Sequence, residues 1–306
     1  MLNTIPNAFS VKILYRDFKE ITKAGLSISV VFSSIAGYFL GILDLASFSI
    51  STLLLLIIGG YCMVGASNAY NQIIEKDLDL LMDRTKNRPV ASGRMSVTTA
   101  FWLASILTLV GLVILYSINP KTAMFGAISI FLYTSVYTPL KTITPLSVFV
   151  GAIPGAIPFM LGWVAATNDF SLEAGTLFLI QFFWQFPHFW AIGWFLYDDY
   201  KKAGFFMLPT GKKDKSTALQ IILYTIWLII ASLLPALFPY MGIVGSRLYL
   251  TPWAAIGVLI LGIWMLYYAF KLYHKRDAIS ARKLMLVSVS YITLLQLIYI
   301  ADKFLR

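Results

Sequence analysis

The chain has 306 residues, is 59% hydrophobic and only 12% charged, and carries a net charge of +10. Soluble domains run about 45–50% apolar with about 25% charge, so this composition excludes a water-soluble fold. The lone cysteine, Cys62, excludes an intrachain disulfide framework or a cysteine zinc site.

A basic segment over 1–23 leads into a first apolar run at 24–43 and a second at 49–70. A basic lead of that length, followed by two successive runs, argues against a cleaved signal peptide. Further runs fall at 98–118, 122–140, 145–166, 172–196, 217–238, 248–270 and 283–301. Each approaches the roughly 20 residues a helix needs to cross a hydrocarbon core. None alternates in polarity as a barrel strand does. The sequence therefore predicts an all-α, polytopic membrane protein of nine transmembrane helices, with 1–306 forming a single domain. With the N-terminus inside, 20 of the 24 Lys and Arg residues fall on inside segments. That is the positive-inside bias, so the basicity is a matter of topology and no nucleic-acid partner is expected. The odd helix count puts the C-terminus outside.

Two connections are long and polar, 71–97 and 197–216, and hold 7 of the 14 acidic residues. They follow the second and sixth helices, so both lie on the inside face, an arrangement that suggests an internal repeat. In the first, Asn68, Asn71, Glu75 and Asp79 are spaced by three, four and four, which lines one helical face. Hard oxygen donors of this kind suit Mg²⁺, which takes one or two carboxylates, keeps waters and bridges to substrate phosphates. Asp77 lies off that face. Arg84, Lys86 and Arg88 follow directly and supply cations for diphosphate oxygens. The plainer reading of the same cations is a cytosolic loop.

Fourth and fifth helices carry Tyr133, Tyr137, Thr138 and Lys141, then Gly151, Pro154, Gly155, Pro158, Gly162 and Trp163. Small residues and prolines let helices approach closely or open; most of these are expected to serve packing, some to line a pocket. On the sixth, Gln181, Gln185, His188 and Asp199 fall near one face, with Pro187 bending it. Polar groups are costly in a bilayer, so such a stripe usually faces a cavity. His188 reads in three ways: a contact to a haem iron, a base, or a hydrogen bond across the bundle.

Asn71-x3-Glu75-x3-Asp79 resembles the first aspartate-rich motif of the UbiA-type intramembrane prenyltransferases. The string Asp77-Leu78-Asp79-x-x-Met82-x-Arg84-Thr85-x-Asn87-Arg88-Pro89 is similar to the protohaem IX farnesyltransferase branch of that superfamily. So are Tyr137-Thr138-Pro139-Leu140-Lys141, Gly155-Ala156-Ile157-Pro158 with Gly162-Trp163, and Trp184-Gln185-x-Pro187-His188-Phe189. The last leads into Asp199-Tyr200-x-x-Ala203-Gly204-x-x-Met207-Leu208-Pro209, and the likeness runs from about residue 20 to the C-terminus. Two departures stand out: Glu75 replaces the usual Asp, and Asp198-Asp199 are adjacent where the superfamily spaces two carboxylates along a helix.

The resemblance implies a nine-helix bundle around a central cavity, capped on the cytoplasmic side of a bacterial inner membrane. It implies farnesyl diphosphate and haem B as substrates, Mg²⁺ as cofactor, haem O as product and a haem A synthase downstream. Carried onto these residues, Asn71, Glu75, Asp79 and Asp199 would hold Mg²⁺ on the diphosphate. Arg84, Lys86, Arg88 and Lys202 would neutralise the remaining phosphate charge. Gln185, His188 and Lys141 are the candidate haem contacts. Competing readings are the same chemistry on a quinone precursor or chlorophyllide, a membrane transporter, and an assembly factor without catalysis. A transporter would place carboxylates at mid-helix, whereas here most cluster at one surface.

Overall fold

The computed structural model describes residues 11–243 and 245–306, with side chains from Leu14 onward. Residues 1–10 of the basic lead and the side chain of Lys12 therefore lie outside the described residues. A short helix α1 (Val11–Ile21) precedes α2 (Ala24–Gly41) and α3 (Ile50–Ile74), and a six-residue helix α4 (Lys76–Leu81) follows. Then come α5 (Val97–Ile118) and α6 (Pro120–Phe131), the latter continuing through a π-helical stretch, Leu132–Tyr137, into α7 (Thr138–Leu140). The chain closes with α8 (Ser147–Thr167), α9 (Leu172–Phe195), α10 (Tyr197–Lys202), α11 (Lys215–Leu237), α12 (Pro252–Lys275) and α13 (Ala278–Leu305). All nine apolar runs are thus helical. Among the described residues, eight helices are long and apolar enough to cross a membrane. The other long one, α9, is the helix that carries Gln181, Gln185 and His188.

The helix starts follow from local chemistry. Ser49, Ser96, Asn119, Asp214, Thr251 and Asp277 each accept a hydrogen bond from the backbone N–H three residues on, satisfying donors the helix leaves free. Pro120 and Pro252 stand in the first turn, where their missing N–H costs nothing.

Helix α8 is the axis of the bundle, with most of its length buried. It crosses α2 at van der Waals contact between backbones: a Cβ on Gly162 would sit 1.9 Å from the Ser34 carbonyl oxygen, and one on Gly37 2.0 Å from that of Phe159. Only glycine permits such an approach, the packing route open to helices in lipid. Pro158 removes the donor that would cover the Pro154 carbonyl, and the Ser129 hydroxyl donates to that oxygen instead, at 3.4 Å.

The two polar loops begin alike. Helix α3 ends at Glu75 (φ −93°, ψ 12°) and α9 at Leu196 (φ −99°, ψ 13°), each followed by a six-residue helix carrying carboxylates. The expected continuation of α3 through Asp79 is therefore broken, and Asp199 sits on a separate turn from Gln181, Gln185 and His188. The loops meet: Asp199 accepts the backbone N–H of Asp83 at 2.9 Å. At the far end of the bundle Arg247 donates to the Gly41 carbonyl, Lys303 to that of Leu40, and Arg306 to that of Tyr249. The C-terminus thus lies opposite the polar loops. Asp17 and Glu20 of α1 pair with Arg94 at the loop end.

Candidate active site

A cavity of about 590 Å³ opens beneath the two loops, within the range of small-molecule sites. Its loop end is lined by Lys23, Asn71, Glu75, Arg84, Arg88 and Lys141. Deeper in the bundle Gln181, Gln185, His188 and Gln296 reach it, between walls that include Tyr133, Tyr137, Trp184 and Phe189. The π-helical stretch turns Tyr133 and Tyr137 toward this space, with the Thr138 hydroxyl donating to the Tyr133 carbonyl at 2.8 Å. Such turns recur at functional sites.

Asn68, Asn71, Glu75 and Asp79 are all buried, but they do not converge on one point. Asn68 ties α3 to the start of α2, its amide donating to the Thr22 carbonyl at 3.3 Å and the Ser27 hydroxyl at 3.4 Å. The Asn71 amide donates to the Thr138 hydroxyl at 3.3 Å, which leaves its carbonyl oxygen for the cavity. Lys141 donates to one oxygen of Glu75 at 2.7 Å and lies 4.5 Å from the Tyr137 ring centroid. Burial works against the Lys141 charge, but Glu75 and Tyr133 outweigh it and hold the ammonium above its ordinary range.

Asp79 turns away from the cavity toward Arg88, which donates to both of its oxygens at 2.8 Å. Complete burial pushes its carboxyl above the usual range in spite of that guanidinium. Arg84 and Arg88 reach the cavity, and Arg84 also lies over Tyr200, 5.9 Å from its ring centroid. Lys86 and Lys202 are exposed and both pair with Asp83. Asp199 serves the loops: besides the Asp83 amide it accepts that of Arg84 at 3.5 Å and the Lys202 ammonium at 3.5 Å. On α9, Gln185 donates to the Gly155 carbonyl at 3.0 Å, and His188 is hydrogen-bonded to Ser288 at 2.8 Å.

Two cavity residues, Lys23 and Gln296, escape sequence reasoning, as does Ser288, which stands behind the lining against His188. Lys23 looks like one more positive-inside lysine, yet it lines the cavity from a left-handed backbone (φ 46°). Burial, together with Arg88 and Lys141, lowers its ammonium to about 7. Ser288 and Gln296 belong to an apolar helix, and their spacing of eight, which puts both on one face, is the signal that would have found them.

Among the described residues no three His, Cys, Asp or Glu side chains gather into a ready metal cage. What the cavity offers is the Asn71 carbonyl oxygen and the Glu75 carboxylate, whose second oxygen has no hydrogen bond among the described residues. That donor set fits Mg²⁺, which takes few protein ligands and completes its shell with water and substrate phosphate.

The sequence profile of the UbiA prenyltransferase family matches residues 30–293. A protohaem IX farnesyltransferase of Flavobacterium psychrophilum is 72% identical over 305 residues, covering 100% of this chain and 99% of its own. The enzyme of that name from Christiangramia forsetii is 67% identical, with 100% and 99% covered. One from Legionella pneumophila is 35% identical, with 95% and 96% covered. In fold, the chain is similar to a digeranylgeranylglyceryl phosphate synthase at a TM-score of 0.77 and 19% identity, covering 96% of this chain and 100% of that one. A UbiA homolog from Archaeoglobus fulgidus, bound to DMAPP and Mg²⁺, superposes at a TM-score of 0.62 and 14% identity, with 91% and 98% covered. The chain is an integral, multi-pass membrane protein of the UbiA prenyltransferase family and belongs to its protohaem IX farnesyltransferase branch.

Proposed function

We propose that the protein transfers the farnesyl group of farnesyl diphosphate to a vinyl group of haem B, with addition of water, giving haem O and diphosphate. The observation that carries this reading is a divided chamber. One end sets Lys23, Arg84, Arg88 and Lys141 around Asn71 and Glu75; the rest is walled by aromatic rings and amides. A diphosphate needs the first environment and a polyisoprenoid and a porphyrin need the second. The name shared by relatives 67–72% identical over the whole chain supports the acceptor.

Asn71 and Glu75 would hold Mg²⁺ on the donor. Bound there, Mg²⁺ would neutralise charge that builds on the leaving diphosphate. Arg84 and Arg88 donate to its remaining oxygens, and this preorganised positive field stabilises the transition state as the allylic C–O bond breaks. Asp79 acts through Arg88, fixing where that guanidinium points. Tyr133 and Tyr137 present π faces that stabilise an allylic cation. The cation adds to the haem vinyl; water then adds to the resulting carbocation and gives up one proton to solvent, leaving a hydroxyl group. Earlier entry of water would hydrolyse the donor, and Asp199, Asp83 and Lys202 hold the loops together above the cavity. Lys86 contributes its charge from outside the lining. Gln185, His188 and Lys141 face the acceptor. The loop end lies on the cytoplasmic side of a bacterial inner membrane, and haem O passes to a haem A synthase.

The test is incubation of the purified protein with haem B, farnesyl diphosphate and Mg²⁺, followed by mass analysis of the porphyrin. The expected product carries one farnesyl group and one water. Unmodified haem, beside transfer to a quinone precursor or chlorophyllide under the same conditions, would reassign the acceptor.

A further inference from the structure

Ser288 lies fully buried in α13, and its hydroxyl oxygen has two neighbours. One is the Met285 carbonyl oxygen at 2.7 Å; the other is Nδ1 of His188 at 2.8 Å. A hydroxyl carries a single proton. The Met285 carbonyl can only accept, so it takes that proton; otherwise two oxygen lone pairs would face each other at hydrogen-bond distance. The Ser288 oxygen must then accept from His188, which puts the imidazole proton on Nδ1 and leaves a lone pair on Nε2. Trp184 fixes the ring plane: it stacks on His188 with centroids 4.5 Å apart and planes 18° apart, and its own N–H donates to the Ser288 carbonyl at 2.7 Å. His188 lines the cavity. Its Nε2 has no hydrogen-bond partner among the described residues, yet it is not among the buried atoms left unsatisfied, so it opens onto the cavity.

A neutral imidazole whose distal nitrogen is held by a hydrogen bond, with the near nitrogen bare and facing an enclosed space, is the usual form of a histidine metal ligand. The acceptor proposed above brings one metal into this chamber. Resting on that reading, we infer that His188 Nε2 is an axial ligand to the iron of the bound haem, and that Ser288 is the positioning residue that sets its tautomer and ring angle. Ligation from α9 would fix the height and tilt of the porphyrin and so choose the vinyl that meets the allylic carbon. The role is positional. The iron takes no part in the bond that forms, and no change in its oxidation state is required.

The test is a spectral titration of the purified full-length protein with haem B, without donor. The wild type should give a histidine-ligated Soret band and an iron–histidine stretch in the ferrous resonance Raman spectrum. His188→Ala should lose both signals, and added imidazole should restore the band. Ser288→Ala should keep the ligand but shift the stretch and weaken haem affinity about 10-fold, as expected for loss of a partner outside the coordination sphere. Retention of the hydrogen bond from Trp184 to the main chain at 288 keeps that second variant folded if His188→Ala is not. Haem uptake with a spectrum indifferent to both substitutions overturns the ligand assignment and leaves the acceptor standing. No haem uptake by the wild type overturns the acceptor and the ligand together.

Discussion

Glu75 and Lys141 bury an ammonium and a carboxylate against each other, exposed only 3% and 7%. Removing one member of such a pair leaves a naked charge in a low-dielectric interior, which costs about 3–5 kcal/mol. Glu75→Gln and Lys141→Met should therefore each lower the unfolding midpoint in detergent by several degrees. The double substitution should recover most of that loss while remaining inactive, because it also removes a proposed metal ligand. A double variant as unstable as the singles would show that the pair is not the source of the cost. Asp79 and Arg88 make a second prediction. If Asp79 works only by aiming Arg88, then Asp79→Asn and Arg88→Ala should each cut turnover by about 10²–10³-fold, the usual cost of losing one key electrostatic group. Combined, they should cost no more than the worse single. Fully additive losses in that cycle would mean independent roles.

At the scale of elements, the two loops act as one cap because Asp199 of α10 accepts the Asp83 and Arg84 amides, while Asp83, just past the end of α4, accepts from Lys202 of α10. Lys202 and Lys86 hold the Asp83 carboxyl at about 2. A depressed carboxylate contributes above its unfolded pKa and loses that contribution as pH falls through the folded value. The link is thus complete above about pH 4 and lost toward pH 2. The pair of Asp83 with Lys202 should open over that window, read from the NMR shifts of the Asp83 carboxyl carbon and the Lys202 ammonium together, and shifts of the ammonium that stay flat there would remove the link. Exposed ion pairs add little stability, so the value of the cap lies in excluding water. Asp199→Ala should accordingly raise the ratio of farnesol to prenylated haem, measured by chromatography of the products. An unchanged ratio would deny the cap that function. The sequence shows the helices plainly, because runs of apolar residues begin at Ser, Thr, Asn and Asp caps. It hides the breaks at Glu75 and Leu196, where neither glycine nor proline marks the turn. Glu75 is drawn instead to Lys141, 66 residues away, and a contact of that separation leaves no local signature. For the same reason Asp79 reads as a metal ligand on a continuous helix, while in the fold it faces Arg88.

The chamber as a whole depends on how closely α2 and α8 can approach, since α2 supplies the wall beyond Lys23 while Gly151 and Gly155 of α8 make room for Tyr137 and Gln185. At Gly162 a Cβ would meet backbone on α2, the Ser34 oxygen at 1.9 Å and the Tyr38 nitrogen at 2.5 Å. No rotamer change relieves a clash between two main chains, so the helices must separate along their length. Overpacking of a core costs about 1–3 kcal/mol where side chains can yield, and more is expected here. Gly162→Ala should therefore insert normally, unfold at a lower temperature and lose both haem binding and transfer, although it touches no charged group. Gly257→Ala on α12 is the matched control: its Cβ would lie 3.6 Å from Ile298, an ordinary contact, so stability and turnover should match the wild type. If Gly162→Ala behaved like Gly257→Ala, the tight crossing would not be what shapes the cavity, and its form would have to come from the loops and the prolines of α8 alone.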